Sequence, residues 1–340
     1  MKQVFVAWVP FQRRSVSMQS YFGYELRFLS FAFKNRLLRP LEYLIKGWQT
    51  LALLIDRQPQ VVWVQLPPTP LLHLAFAYKA LLNQKLSIIA DCHNATFRRP
   101  WISLPGTVAL LNRCDLVIVH NDAVQEQALS LGLNPQRLAV LLDPPAQVEA
   151  TPEQPQASFP HPWVLCPCSF NRDEPIQEIL EAARLAPEIT FVLTGNPARA
   201  QGIHDLSHIP ENLKLAGFLP TATFNQFLCN TDAILGLTKL DGIQLSVANE
   251  AVGVGKPMVI SHTQTLKQLF YKGAIYVDPM NAQSIAQGCK DVLVQKQALT
   301  EQIIDLQKER SQQWINHAHD VLSFLDRASS EVIPQGSSLP

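Results

Sequence analysis

Asp241–Pro257, DGIQLSVANEAVGVGKP, is the stretch on which the reading of this chain turns. An acidic–glycine turn, Asp241–Gly242, leads into a helix that carries Glu250. Gly253, Gly255 and Pro257 stop that helix, and the apolar strand MVIS follows at 258–261. A turn–helix–strand unit of this kind presents backbone N–H groups at the start of the helix, where a phosphate or a sugar hydroxyl can be held. A carboxylate within the helix, Glu250, can accept hydrogen bonds from a polyhydroxylated ligand. The same residues also fit an ordinary βαβ segment with one glutamate on an exposed helix face, so the rest of the chain has to decide.

Outward from that stretch, short β-branched and aromatic runs alternate with longer helical patterns, which predicts parallel α/β sheets. The second half offers WVLCPC, ITFVLTG, LKLAGF, AILGLT, MVIS and AIYVDP as strands; the first half offers VFVAWV, ELRFLSF, VVWVQL, LSIIAD, DLVIVH and LAVLLD. Most are continuous apolar runs, as expected of strands covered on both faces. Helical patterns lie between the first six at about 39–57, 69–83, 105–113 and 122–131, and a long amphipathic one covers about 298–326. Between the two sets, DPPAQVEATPEQPQASFPHPW holds six prolines and few large apolar residues, the composition of a linker. The expected domains are 1–146, a linker at 147–162, a second domain at 163–326, and a loose tail at 327–340. Two doubly wound domains so joined leave a crevice at the carboxyl ends of their strands, where ligands bind.

Composition excludes several classes. The 340 residues carry a formal net charge of zero, so no global field draws the protein to nucleic acid. At 47% hydrophobic and 16% charged residues the chain has ample core material. Six scattered cysteines do not form a disulfide framework, and a cytoplasmic setting is expected. Cys166 and Cys168 lack the spacing and partners of a zinc site and read as buried thiols. The N-terminal apolar run is too short for a signal peptide, and no run reaches the roughly 20 residues a membrane span needs.

FVLTGNP, LAGFLP, DGIQLSVANEAVGVGKP and AIYVDP occur in an order that resembles the family-4-like glycosyltransferases (glycosyltransferase group 1) over almost the whole chain. The resemblance implies a GT-B architecture, two doubly wound Rossmann-like domains facing a central cleft, with a nucleotide-diphosphate sugar as donor. It puts Gly195 and Asn196 near the nucleotide, Gly217, Phe218 and Leu219 beside its base, and Gly242, Ile243 and Gln244 at the donor. The family's two glutamates stand seven residues apart. Here the second maps to Glu250 and the first falls on Gly242, so Asp241 either reaches the sugar from a shifted turn or only caps a helix. Where relatives carry an arginine and a lysine facing the diphosphate, this chain has Ser169 and Glu174. Arg172 and Lys239 are the replacement cations, or else solvated surface charges. The SFNRDEP loop is also similar to that of the β-mannosyltransferases that build chitobiosyl lipids, a resemblance that leaves an inverting outcome open beside a retaining one.

In the first half LSIIAD runs into DCHNATF, placing Asp91 and His93 at the carboxyl end of a strand. The resemblance makes His93 a contact of the donor sugar, with Asp91 either orienting it or facing the acceptor. In an inverting reaction either is the candidate base, and in a retaining one His93 is a sugar clamp. The pair also fits a simple turn cap. DLVIVH ends at His120–Asn121, which would line the cleft on the acceptor side, with Asp122 expected as the helix cap. PFQRRSVSMQSYFGYEL reads as a polar loop in which Arg13, Arg14 and Ser15 lie on the acceptor side, or as plain surface. No metal ligand set and no cofactor are expected beyond the nucleotide sugar.

Residues 33–54, FKNRLLRPLEYLIKGWQTLALL, interleave Lys34, Arg36, Arg39 and Lys46 with Leu, Tyr and Trp. That is the chemistry of an interfacial helix, although a helix with its apolar face on a sheet reads the same way. The expectation is a glycosyltransferase, cytoplasmic and peripheral at the cytoplasmic membrane face, acting on a lipid-linked or polysaccharide acceptor. Closure of the domains on the donor would supply catalysis, with Arg172, helix amides and Lys239 at the diphosphate. Two rivals share the fold: a sugar-nucleotide epimerase, and a non-catalytic subunit that binds a partner enzyme or a glycan.

Overall fold

The computed structural model describes residues 1–33, 35–148 and 159–330, with the side chains of Arg36 and residues 324–330 aside. Lys34, most of the expected linker and residues 331–340 therefore lie outside the described residues. The chain forms two compact units. The first comprises Met1–Pro144 with the residues from Gln313 onward, and the second comprises Pro145–Gln312.

In the first unit β1 (Gln3–Ala7), α1 (Arg13–Phe22), β2 (Glu25–Phe28), α2 (Arg39–Arg57), β3 (Val61–Leu66), α3 (Pro70–Leu81), β4 (Ser87–Cys92), α4 (Thr107–Leu111), β5 (Leu116–Val119), α5 (Asp122–Ser130) and β6 (Leu138–Val140) alternate. All six strands are parallel, in the order β2-β1-β3-β4-β5-β6. Both faces of the sheet are covered, which is why its strands read as unbroken apolar runs. Val4, Val6, Val62 and Val64 face one core, while Phe5, Ala7, Val61 and Trp63 face the other. Trp314, Ala318 and Val321 close that second core beside Met18, Phe22 and Trp63.

The second unit runs β7 (Trp163–Pro167), α6 (Ile176–Leu185), β8 (Thr190–Thr194), β9 (Leu213–Gly217), α7 (Thr221–Asn230), β10 (Ala233–Gly236), α8 (Ser246–Val254), β11 (Met258–Ser261), α9 (Gln264–Leu269), β12 (Ala274–Val277), α10 (Ala282–Val294) and the part of α11 (Lys296–Ser330) up to Gln312, the rest of that helix belonging to the first unit. Its parallel strands lie in the order β12-β11-β10-β7-β8-β9. The order reverses between β7 and β10, so the loops after those two strands flank the switch point where such sheets bind ligands. Helix α11 continues past residue 327, where a loose tail is expected. The helix stop after Glu250 also differs in detail. Gly255, at φ +67°, is the left-handed C-cap of α8, whereas Gly253 lies inside the helix. Gly253 is glycine because the backbone of Ala146 crosses it: a Cβ there would stand 2.1 Å from the Ala146 carbonyl oxygen.

Candidate functional site

The segment expected as a polar loop after β1 is helical. Gln12 caps α1, its Oε1 accepting from the Ser15 N–H at 2.9 Å, and Gly23 ends it in the left-handed conformation. Few apolar residues mark this helix because Arg14, Ser15 and Ser17 share its buried side with Met18 and Phe22. Arg14 is buried there, its Nε donating to Asp91 at 3.2 and 3.4 Å and its Nη1 to Asp143 Oδ1 at 2.6 Å. Its Nη2 is enclosed without a partner. Ser15 is consumed structurally, donating to the Gln12 carbonyl and accepting from Tyr24 at its own carbonyl. Arg13 lies over the Phe11 ring, 5.3 Å from its centroid.

Around Arg14 the carboxyl ends of three strands deliver acids and imidazoles. Asp91 is the penultimate residue of β4 and His93 follows it; His120 follows β5, and Asp143 lies beyond β6. The carboxylate expected to orient His93 stands instead against His120, with Asp91 Oδ1 3.4 Å from His120 Nε2. His93 has another partner. Gln12 Nε2 lies 3.2 Å from His93 Nε2, and the cap bond to Ser15 fixes which end of the amide is which. Gln12 therefore donates, His93 Nε2 accepts, and the ring proton of His93 sits on Nδ1. The two imidazoles meet at 4.1 Å between centroids. Asn121, not Asp122, caps α5 by accepting from the Val124 N–H, and its amide Nδ2 is enclosed and unpaired.

Electrostatics divide the roles. Burial opposes ionisation of Asp91, but the Arg14 guanidinium and the neighbouring histidines outweigh it and hold the carboxyl far below the usual range. Asp143 is likewise lowered against burial by Arg14 and the histidines. His93 is pushed down to about 3, chiefly by burial and then by His120. Two permanently ionised, arginine-bound carboxylates are weak bases, and a neutral His93 is a hydrogen-bonding group. The arrangement suits a clamp on hydroxyl groups better than proton abstraction. Asp91, His93 and His120 also offer one ligand atom each within 4.8 Å of one another. A cation there would compete with Arg14 for the Asp91 oxygens.

In the second unit the residues flanking the switch point are bound to each other. The Thr238 hydroxyl donates to Asp173 and the Lys239 N–H donates to the Asp173 carbonyl, joining the loops after β7 and β10. Glu174, standing where relatives would carry a cation, ties its own loop by accepting from the N–H groups of Ser169 and Asn171 at 2.7–3.1 Å. Arg172 is exposed, and Lys239 Nζ lies 3.9 Å from Glu178. Asp241 caps a helix, though not the one carrying Glu250. Its carboxylate accepts from Gln264 and Thr265 at the start of α9 and from Gly242. The Thr265 N–H leads in lowering it to about 2. The start of α8 has no side-chain cap, since its N-cap is Leu245. Beside it, past the half-buried Ile243, the Gln244 amide is enclosed with neither Oε1 nor Nε2 paired. Glu250 is buried in the second turn of α8.

The remaining turns adjoin at the ends of β8 and β9. Gly195 donates its N–H to the Gly217 carbonyl, and a Cβ on Gly195 would collide with the Cys168 carbonyl. Asn196 caps a short 3-10 turn, Leu219 is half-buried, and the Phe218 ring is 81% exposed. Gln12 and Asp143 are the site residues that sequence reasoning missed. Asp143 carried a signal, as the acid ending an apolar strand; Gln12 carried none.

No family model matches the chain, and no curated protein matches it. Solved structures do. HepE of Anabaena, in complex with UDP and glucose, superimposes with a TM-score of 0.69 at 14% identity, over 96% of this chain and 99% of that one. Sucrose-phosphate synthase of Thermosynechococcus elongatus gives 0.68 at 12% identity, over 97% and 100%. A Listeria monocytogenes protein proposed to be a UDP-N-acetylglucosamine 2-epimerase gives 0.62 at 15%, over 100% and 99%. At such identities the likeness establishes architecture: the chain has the GT-B fold, built of two Rossmann-like units.

Proposed function

We propose that the protein is a glycosyltransferase that moves a sugar from a nucleotide-diphosphate donor to a lipid-linked or polysaccharide acceptor at the cytoplasmic face of a membrane, with peripheral contact through residues 33–54. The observation that carries this reading is the unspent hydrogen-bonding capacity at the carboxyl ends of both sheets. Arg14 Nη2 and Asn121 Nδ2 in one unit, and the Gln244 amide beside an uncapped helix start in the other, are enclosed without partners among the described residues. Buried polar groups left unpaired are costly, and a hydroxyl- and phosphate-rich ligand would satisfy them. Helix α8 and Gln244 hold the donor, Glu250 grips its sugar, and Phe218 offers an exposed ring for the base. Arg172 and Lys239 face the diphosphate, while His93 clamps sugar hydroxyls in neutral form. The likeness to a protein solved with UDP and glucose supports a uridine donor first.

The test is thermal unfolding with UDP, GDP, TDP and ADP and their sugar conjugates. Ligand at about 100 times its dissociation constant adds about 2.7 kcal/mol, a rise of about 5–10 °C in the responding unit. A rise with one nucleotide, lost in Glu250→Ala, supports the donor site. A folded protein indifferent to all four is the non-catalytic subunit instead. The likeness to the Listeria protein favours one further reading, an epimerase. Conversion of a nucleotide sugar to its epimer with no acceptor present would establish it.

A further inference from the structure

Helix α2 is apolar on two sides, packing Tyr43, Leu51, Leu53 and Leu54 on the core while showing a second apolar stripe outward. A surface helix normally hides its apolar stripe and shows its charges. Here Lys46, Thr50 and Leu54 face the core. Lys46 pairs with Glu42 at 2.7 Å, and the Thr50 hydroxyl accepts from Trp8 Nε1 at 2.9 Å. The opposite face carries Leu41, Leu44, Trp48 and Ile55, spaced to share one side of the helix. Leu44 is 70% exposed, Trp48 72%, and Leu37, in the turn before the helix, 85%. Lys46 is the one charged residue between Tyr43 and Ile55, so this outward face has no charge at all. Exposed Arg39 begins the helix on the side of Lys46 and Thr50, and at the far end Ile55, followed by exposed Asp56, shares a cavity of about 810 Å³ with exposed Leu82.

We propose that this face lies on a lipid bilayer, with α2 parallel to the surface and Leu41, Leu44 and Trp48 at the headgroup–acyl boundary. It deepens the membrane contact proposed above, and only the lipid nature of the acceptor rests on that reading. The basic residue Lys46, which makes the sequence look interfacial, takes no part, because it points inward. Charge and area choose the occupant. From Leu41 to Ile55 the stripe carries no charged side chain, so no charge has to be desolvated when it enters the headgroup–acyl boundary. It is about 28 Å long and 10 Å wide, or about 280 Å², against about 800 Å² that a stable protein interface takes from each side.

The full chain is floated with phosphatidylcholine–phosphatidylglycerol vesicles. Leu44→Glu with Trp48→Glu lowers vesicle affinity at least about 100-fold while thermal unfolding stays put. Brominated lipid quenches the wild-type tryptophan emission and loses most of that effect in Trp48→Phe, a readout that needs no disruptive variant. Folded wild-type protein that stays off the vesicles overturns the proposal. So does a dimer in light scattering that the double variant splits, since the face then serves a second copy. Nucleotide shifts recorded on the same samples separate the two ideas. Vesicle binding without a nucleotide shift sinks the transferase reading alone, and the reverse sinks the bilayer alone.

Discussion

Replacing Arg14 with methionine removes the cation on which a buried carboxylate, Asp91, and a half-buried one, Asp143, depend. Methionine keeps much of the volume and stem of arginine, so packing loss is small and the electrostatic effect dominates. Arg14 and Asp91 are each about 1% exposed at the side chain, and Asp143 lies 2.6 Å from the guanidinium. Breaking a buried pair by removing one partner costs about 3–5 kcal/mol, because the remaining charge cannot be hydrated. For a unit of this size that is a fall of about 6–20 °C in melting temperature.

The pH dependence gives the sharper test. In the native protein Asp91 is held below its unfolded value, so its contribution is fully present above about pH 4 and is lost as pH falls through the folded value. In Arg14→Met the two acids crowd one another in a dry site, which raises their folded values above the unfolded ones. Protonation then relieves the strain, and the penalty grows as pH rises from about 4. Urea unfolding at pH 5 and pH 8, followed by near-ultraviolet circular dichroism, should show a smaller deficit at pH 5. Adding Asp91→Asn should recover part of the loss at pH 8. A deficit equal at both pH values, or below about 1 kcal/mol at pH 8, would refute the charge argument.

Other consequences are independent of this one. With its value pushed down to about 3, His93 should show no titration between pH 5 and 8 in the imidazole resonances, and His93→Gln should not abolish an acid limb in any activity profile. Chelation with EDTA should leave turnover intact, because Arg14 already occupies the Asp91 oxygens; reversible loss restored by a divalent ion would show that Asp91, His93 and His120 hold a metal. Gly253→Ala should cost about 1–3 kcal/mol by overpacking against Ala146, read as a lowered urea midpoint. Gly255→Ala, with room for a methyl group but φ +67°, should cost about 1–2 kcal/mol from backbone strain alone.

The strands were legible because a sheet covered on both faces writes itself as apolar runs, and each expected run holds an observed strand. What escaped was set by partners distant in the chain. Arg13–Phe22 lacks an apolar stripe because Arg14 turns inward to acids 77 and 129 residues away, a pairing that no local pattern encodes. Gly253 looked like a helix stop, yet its requirement comes from a backbone more than a hundred residues earlier. Asp241 looked like a cap for the nearest helix and caps the next one, 23 residues on.

Lys46 misled in the opposite direction. It suggested a basic membrane face by composition, while the fold hides it and exposes the leucines and Trp48 instead. Glu174 carries the same lesson into the site. Read by position, it is an acid where a diphosphate-facing cation belongs. Its carboxylate instead takes the amides of Ser169 and Asn171, which closes the loop and leaves Arg172, the neighbouring cation, exposed. The departure therefore changes how the loop is held as well as its charge. With the Ser169 and Asn171 amides spent inside the loop, the proposed diphosphate contact falls to side-chain cations there, Arg172 and Lys239 in that proposal, with Arg199 held nearby on Asn171 Oδ1.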